Sequence, residues 1–312
     1  YISDLNQINN EHRMGELIRI SEALQEKRIA QIADHIASHR NNIRLILIAG
    51  PSSSGKTSFA QRLRIQLRVN GLHPIMISLD DYFLNREDTP RNEKGQYDYE
   101  SIDAIDTALF NRNMLELLNG HRVQIPYYNF ITGKREWHDD NFLLMKEDQP
   151  IIIEGIHGLN ERLTADIARK NKYKIYISAL TQLNIDAHNR IPTTEVRFLR
   201  RLVRDHQFRG AKAIKTIKQW PDVRAGEEKY IFPFQEEADV LFNSALIYEI
   251  GVLKKYAVPL LEAIDRGEEG YTEARLILRF LQYVDEIHDI DDIPNNSIFR
   301  EFIGKSVFFK EK

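Results

Sequence analysis

The chain has 312 residues, of which 42% are hydrophobic, and a formal net charge of −3. Such a chain can fold into one large or two small globular domains, and its charge gives no electrostatic case for a nucleic-acid-binding surface. The absence of cysteine excludes disulfides and thiolate sites, and no apolar run reaches the roughly 18 residues of a membrane span. We therefore expect a cytoplasmic protein with no membrane partner, and we leave open that it forms a homo-oligomer.

The first part of the chain has a helical pattern. Apolar residues recur at mostly helical spacing from Glu11 to Arg40, which predicts one or two amphipathic helices. Because the sequence begins with Tyr1 and not with Met, we expect residues 1–40 to be the remnant or linker of an upstream domain.

A phosphate-binding motif follows this helical part. Residues 50–57 match G-x-x-x-x-G-K-[ST], after a predicted strand at Ile43 to Ala49 and before apolar residues at helical spacing. Glycines let backbone N–H groups turn towards an anion, the lysine supplies a positive charge, and the threonine hydroxyl can bind Mg²⁺. The motif predicts a nucleotide-phosphate site at Gly50, Ser52, Ser53, Ser54, Gly55, Lys56, Thr57 and Ser58.

Beyond the motif, short apolar runs alternate with helical segments. The runs span residues 74–79, 151–153, 173–179 and 239–246, and this alternation predicts an α/β fold with a parallel sheet covered by helices on both faces. The polar, aromatic-rich stretch between the first two runs is too long for a simple crossover. We expect this stretch to contain a helix at Ile105 to Leu118 and a hairpin around Val123 to Trp137. We also expect it to bind the substrate. Residues 247–283 are again predicted to be helical.

Carboxylates follow two of the predicted strands. Asp80 and Asp81 close the second strand, and Glu154 ends the third. Because successive side chains of a strand point in opposite directions, we expect only one of Asp80 and Asp81 to face the phosphate site. A carboxylate there can take a proton from an attacking hydroxyl or bind Mg²⁺, and Glu154 can hold Mg²⁺ or its water.

Four arginines fall at i, i+3, i+4 and i+7 of a predicted helix, namely Arg197, Arg200, Arg201 and Arg204, and Arg209 follows them. Like charges on one helix face repel each other, so the pattern favours an anion between them and a lid that closes over a triphosphate. A solvated helix neutralised by Glu195 and Asp205 is the alternative. No aspartate stands three residues before any of the fifteen glycines, so the D-x-x-G element of GTPase switches is absent.

Together these motifs resemble the uridine kinase and phosphoribulokinase family, most closely its uridine/cytidine kinases, from about Ile43 to Leu246. The resemblance implies the P-loop NTPase fold. Residues 80–83 are similar to the family's Asp-Ser-Phe-Tyr element, which implies that Asp80 is the catalytic base. Residues 200–205 are similar to its Arg-Arg-x-x-Arg-Asp lid, which implies that Arg201, Arg204 and Arg209 bind phosphate, with Lys56, Arg201 and Arg204 taking part in catalysis.

The resemblance also implies an acceptor site. Residues 99–106 are similar to the family's ribose-binding stretch, which places Glu100 on the sugar hydroxyls, and residues 126–130 are similar to its hairpin, which places Tyr128 and Phe130 against a nucleobase. The implied acceptor site consists of Phe83, Tyr99, Glu100, Tyr128, Phe130 and Arg201. The sequence departs from the family at Phe83, at Gly133, where the family has a base-reading histidine, and at Ala211, where it has a further lid arginine.

The implied activity is ATP-dependent phosphorylation of the 5′-hydroxyl of a pyrimidine nucleoside, with Mg²⁺ held by Thr57, Glu154 and Asp80. Two alternatives stay open: a kinase of another small alcohol, such as a sugar, sugar phosphate or polyol, and a catalytically silent nucleotide-binding regulatory module. The implied kinase domain spans residues 41–250, with an insert at 82–146 and a lid at 195–235. A C-terminal helical extension would span residues 251–312.

Overall fold

The computed structural model describes residues 1–146 and 148–309. Position 147, which directly follows the predicted insert, and positions 310–312 of the predicted extension lie outside the described residues. The strands are β1 (Leu45–Ala49), β2 (Ile75–Ser78), β3 (Arg122–Gln124), β4 (Tyr127–Asn129), β5 (Lys134–Glu136), β6 (Phe142–Leu144), β7 (Ile151–Glu154), β8 (Lys172–Ser178) and β9 (Val240–Asn243). The α-helices are α1 (Ile2–Asn10), α2 (Met14–Ser38), α3 (Lys56–Val69), α4 (Thr107–Leu118), α5 (Thr193–Arg209), α6 (Ala213–Tyr230), α7 (Glu249–Glu262), α8 (Tyr271–Leu281) and α9 (Arg300–Ile303).

A parallel sheet of five strands, in the order β2-β7-β1-β8-β9, forms the centre of the molecule. Strand β1 pairs with β7 through Leu45 and Ile151, and with β8 through Leu45 and Lys172. Because all five strands run in one direction, their carboxyl ends meet at one edge of the sheet. The predicted α/β fold with a parallel sheet is confirmed, and this edge is where ligands bind in such folds.

Helices cover both faces of the sheet because its strands are apolar on both sides. Leu45 and Leu47 of β1 pack in a core cluster with α4, while Ile46 and Ile48 pack in another with α2 and α3. A third cluster joins α1 and the start of α2 to α5, α7, α8 and α9. The N-terminal and C-terminal helices therefore share one core with the lid helix α5, and the predicted division into three segments stays a prediction.

Several elements differ from the sequence expectation. The apolar pattern did not predict α1. The hairpin is doubled, since β4 pairs with β5 and β3 pairs with β6 outside them. The predicted helix over residues 247–283 is interrupted between α7 and α8, where the segment contains Gly267 and Gly270, and Gly270 has a φ of +96°.

Within the described ranges no helix combines the length and the apolar character that a membrane crossing requires.

Candidate active site

The phosphate-binding motif forms the turn between β1 and α3. Lys56 Nζ donates hydrogen bonds to the carbonyls of Gly50 (2.9 Å) and Pro51 (3.2 Å), so the side chain folds back over the loop. Ser53 and Gly55 have φ values of +59° and +84°. Such left-handed residues turn successive N–H groups towards a common centre, and Gly55 tolerates this conformation because it has no Cβ.

The loop has unused hydrogen-bonding groups where an anion would lie. The hydroxyls of Ser53 and Ser54 are buried without a protein partner. The first turn of α3 begins at Lys56, and the N–H groups of a first turn have no partner within the helix. Their partial positive charge favours an anion. These residues therefore fit a bound phosphate chain.

A hydroxyl and two carboxyl groups stand beside the loop. Thr57 Oγ1 donates a hydrogen bond of 3.0 Å to Glu154 Oε1. Burial raises the pKa of Glu154 to about 7 against the opposing charge of Lys56, and burial also raises the pKa of Asp80. Asp80 as a residue is exposed to solvent, while protein atoms crowd around its carboxyl group. Carboxyl groups that are costly to ionise in this way are stabilised by a cation.

This donor set fits Mg²⁺ bound together with a nucleotide. Across the described part of the chain no group of three or more His, Asp or Glu side chains forms a ready-made metal site. Mg²⁺ keeps several waters and is held by one or two carboxylates together with substrate phosphates. Thr57, Glu154 and Asp80 are the residues here that would hold it.

Asp80 and Asp81 lie on a short 3₁₀ turn, Leu79–Tyr82, rather than on strand β2. The Ser78 hydroxyl accepts a hydrogen bond from the Asp80 N–H (3.2 Å) and thereby caps this turn. The charges of Lys56 and Arg209 act on Asp80, whereas Asp81 accepts a long hydrogen bond from the Tyr128 N–H (3.5 Å). Asp80 therefore faces the phosphate loop and Asp81 the hairpin, and it is the turn that separates them, not strand alternation.

The four arginines of α5 do not share one anion, so this part of the expectation is wrong. Arg197 makes a bidentate ion pair with Glu227 of α6 (2.5 and 2.6 Å), and both side chains are buried. Arg200 pairs with buried Glu249 of α7 through one oxygen, Oε2, which accepts hydrogen bonds from Nε (2.9 Å) and Nη2 (2.5 Å). These two arginines fix α5 to its neighbours, because each has a dedicated carboxylate.

The remaining arginines point to the phosphate side. Arg201, Arg204 and Arg209 all pair with buried Asp205, at 3.2, 2.9 and 3.3 Å. Three guanidinium groups share one carboxylate, which leaves two positive charges for an anion. The alternative interpretation is a solvated helix neutralised by Glu195 and Asp205. It holds only in part, because Asp205 balances one of the three positive charges.

The lid touches the phosphate loop directly at Ser52. Arg201 Nη1 donates to the Ser52 hydroxyl (2.9 Å), and the Ser52 N–H donates to Glu227 Oε1 (3.0 Å). The sequence analysis did not identify Glu227. Its arginine partner lies 30 positions earlier in the chain, so no local spacing could have revealed it.

An aromatic cluster forms the acceptor side of the cleft. The ring centroid of Phe83 lies 6.1 Å from that of Tyr99, 5.5 Å from Tyr128 and 6.3 Å from Phe130, and Tyr128 lies 5.0 Å from Phe130. Arg135 of β5 holds the hairpin in place by donating to the Phe83 carbonyl (3.2 Å). The structure thus brings the four predicted aromatic residues together, and Phe130 is 61% exposed.

Glu100 lies between this cluster and the phosphate loop. Burial and nearby Glu227 raise its pKa, while Lys56 and Arg201 oppose the rise, so the carboxyl is close to both cations. A Cβ at Gly226 of the lid would lie 2.9 Å from Glu100 Cγ, which shows how closely α6 approaches it. The carboxyl is therefore enclosed between the insert and the lid.

At position 133, where the family has a base-reading histidine, this chain has a glycine that is covered by an arginine side chain. Gly133 has a φ of +71°, and a Cβ there would lie 2.6 Å from Arg86 Nε. Arg86 Nη2 donates to the Phe130 carbonyl (3.2 Å). A guanidinium group therefore stands at the end of the aromatic cluster, a residue that the sequence analysis missed. Asp239 immediately precedes β9, at the end of the sheet away from the phosphate loop, and pairs with Arg169 (2.6 Å).

A parallel sheet with a phosphate loop at its carboxyl edge, strand-end carboxylates and an arginine-bearing lid defines a phosphate-loop nucleotide-binding α/β protein. The family described as "Phosphoribulokinase / Uridine kinase family" matches residues 45–249. The chain belongs to this family, and the predicted family is confirmed.

Two relatives show the extent of the similarity. The chain is 32% identical over 203 residues to the uridine kinase of Saccharomyces cerevisiae, a match that covers 64% of this chain and 36% of the yeast protein. It is 28% identical over 201 residues to the uridine kinase of Staphylococcus haemolyticus, which covers 64% of this chain and 87% of that protein. The chain therefore spans about a third of the yeast relative's length.

One solved structure is also similar, titled as a possible uridine kinase from Bacillus stearothermophilus. It has a TM-score of 0.46 and 19% sequence identity, and the match covers 70% of this chain and 98% of that one.

Proposed function

We propose that the protein is an ATP-dependent kinase that phosphorylates the 5′-hydroxyl of a pyrimidine nucleoside in the cytoplasm. The observation that carries this proposal is the position of Asp80. Its carboxyl faces Lys56 and Arg209 on the phosphate side, while the neighbouring Asp81 contacts the hairpin that bears Tyr128. The hydroxyl of an acceptor held in the aromatic cluster would thus lie between the Asp80 carboxylate and the donor phosphate.

The donor side would bind the triphosphate of ATP. The loop from Gly50 to Ser58 surrounds the phosphates with backbone N–H groups and hydroxyls, and Lys56 leaves the loop carbonyls to contact them. When bound by Thr57, Glu154 and Asp80, Mg²⁺ would neutralise charge on the phosphates.

Proton transfer is the role we assign to Asp80. Its raised pKa makes the carboxylate a better base, since a base is most effective when its pKa approaches the working pH. Arg201, Arg204 and Arg209 would stabilise the transferring phosphoryl group with the positive charge that Asp205 leaves unbalanced. Closure of the lid would exclude water, which otherwise competes with the acceptor.

The acceptor side would bind the nucleoside at both ends. Glu100 accepts hydrogen bonds from the sugar hydroxyls, and Phe83, Tyr99, Tyr128 and Phe130 contact the planar base. The relatives are named uridine kinases, which supports a nucleoside acceptor.

A second acceptor class is favoured by one observation. Arg86 places a guanidinium group at the far end of the aromatic cluster, where a sugar phosphate could pair with it. In this second candidate the catalytic base is still Asp80 and the donor site is the same.

Acceptor-dependent ADP formation tests the proposal. The purified protein is given Mg²⁺ and ATP with uridine, cytidine, sugar phosphates or polyols in turn. The proposal predicts the highest kcat/KM for a pyrimidine nucleoside. A preference for a sugar phosphate would favour the second candidate, and ATP binding without turnover on any acceptor would favour a regulatory module.

A further inference from the structure

The C-terminal segment, residues 297–309, is docked on the phosphate loop. Ile298 is buried against the loop, since a Cβ at Gly55 would lie 2.4 Å from its Cγ2. Phe299 and Phe302 are fully buried, and the guanidinium carbon of Arg200 lies 4.8 Å from the ring centre of Phe302. This segment lies beyond the residues that match the family, which end at position 249.

Glu301 occupies a position that suits a phosphate oxygen. Its Oε2 accepts a hydrogen bond from the Ser58 hydroxyl (2.7 Å) and a longer one from the Ser58 N–H (3.4 Å). Ser58 is the third residue of α3, so this N–H belongs to the first turn, where anions bind. A carboxylate of the chain itself therefore competes for a donor of the phosphate site.

A cleft of about 450 Å³ extends from Thr57 between the end of α5 and the C-terminal segment. It is lined by the rings of Phe208 and Phe309, which are 49% and 38% exposed. Its volume lies in the range of small-molecule sites, and exposed aromatic rings are suited to stacking on a planar base. Arg204 and Arg209 line the same cleft.

We infer that this cleft binds the nucleoside end of the phosphate donor, with its base against Phe208 and Phe309. Glu301 releases Ser58 when the α-phosphate of the donor arrives. The C-terminal segment is then one wall of the donor site. The inference rests on the proposed function in that the donor is a nucleoside triphosphate.

The first test distinguishes the contribution of the donor's base to binding from that of its phosphates. Calorimetry measures the binding of ATP and of inorganic tripolyphosphate, each with Mg²⁺, to the wild type, Phe309→Ala and the control Val307→Ala. Val307 is 60% exposed in the same segment and does not line the cleft. Loss of stacking should weaken ATP binding about tenfold in Phe309→Ala and leave tripolyphosphate binding unchanged. Val307→Ala should bind both like the wild type.

The second test removes the competing charge. Glu301→Gln should bind ATP and tripolyphosphate about tenfold more tightly, because the Ser58 donors no longer face a carboxylate. The inference is overturned if Phe309→Ala binds ATP as the wild type does, or if Glu301→Gln binds both ligands no better. A protein that behaves as expected in both tests but phosphorylates no nucleoside would refute the proposed acceptor and leave the donor cleft standing.

Discussion

Replacing Glu154 with glutamine should stabilise the ligand-free protein at alkaline pH. The pKa of Glu154 is raised from an ordinary value of 4.5 to about 7, mainly by burial. Between these values the folded protein holds a proton that the unfolded chain has lost, so stability falls as pH rises through this window. A pKa difference of this size corresponds to a loss of about 3 kcal/mol in the free energy of unfolding above pH 7. Water in the cleft reduces this figure, and we expect about 1–3 kcal/mol.

Urea unfolding at pH 8 and pH 5 measures this effect. At pH 8 Glu154→Gln should be more stable than the wild type by that amount, because the amide keeps the Thr57 hydrogen bond without a buried charge. At pH 5 most of the difference should disappear, since the wild-type carboxyl is then largely neutral. Glu262→Gln, an exposed change at the end of α7, is the control and should alter stability by less than about 0.5 kcal/mol at both pH values. A Glu154→Gln variant that is less stable than the wild type at pH 8 would show that the buried charge of Glu154 does not destabilise the fold.

Three further predictions follow from the geometry. Asp80→Asn should reduce kcat about 100-fold or more while ATP binding measured by calorimetry changes little, and unchanged kcat would remove Asp80 from the base position. Glu100→Ala should raise the acceptor KM about tenfold and change the KM for ATP much less, because the sugar contacts are lost directly whereas Lys56 and Arg201 lose only a nearby carboxyl group, and equal effects on both would contradict this role. Arg197→Met should destabilise the fold by about 3–5 kcal/mol in urea unfolding, because it leaves Glu227 charged and buried. The double variant with Glu227→Met should recover part of that loss, and strict additivity of the two changes would contradict a coupled pair.

Local patterns were sufficient to predict the sheet and the phosphate loop. The apolar run of β1, the glycines of the loop and the spacing of Phe59, Leu63 and Leu67 are features of adjacent residues, and the structure follows them closely. The order of strand, loop and helix also placed Glu154 beside the loop. These predictions succeed because neighbouring residues form each strand, loop or helix, and because the carboxyl ends of parallel strands meet at one edge of the sheet, which brings Glu154 to Thr57 across 97 positions.

Contacts that are distant in sequence could not be predicted. The four arginines of α5 look alike in the sequence, yet Arg197 and Arg200 meet carboxylates 30 and 49 positions away. Glu301 reaches Ser58 across 243 positions. Only the tertiary fold distinguishes an arginine that stabilises the lid from one that faces phosphate.

The preference among acceptors decides whether the protein is a nucleoside kinase. The measurement is kcat/KM from acceptor-dependent ADP formation at saturating Mg²⁺ and ATP, over uridine, cytidine, sugar phosphates and polyols. We expect a pyrimidine nucleoside to give the highest value and Asp80→Asn to abolish most of that activity. A sugar phosphate or polyol used at least as well as either nucleoside would contradict it.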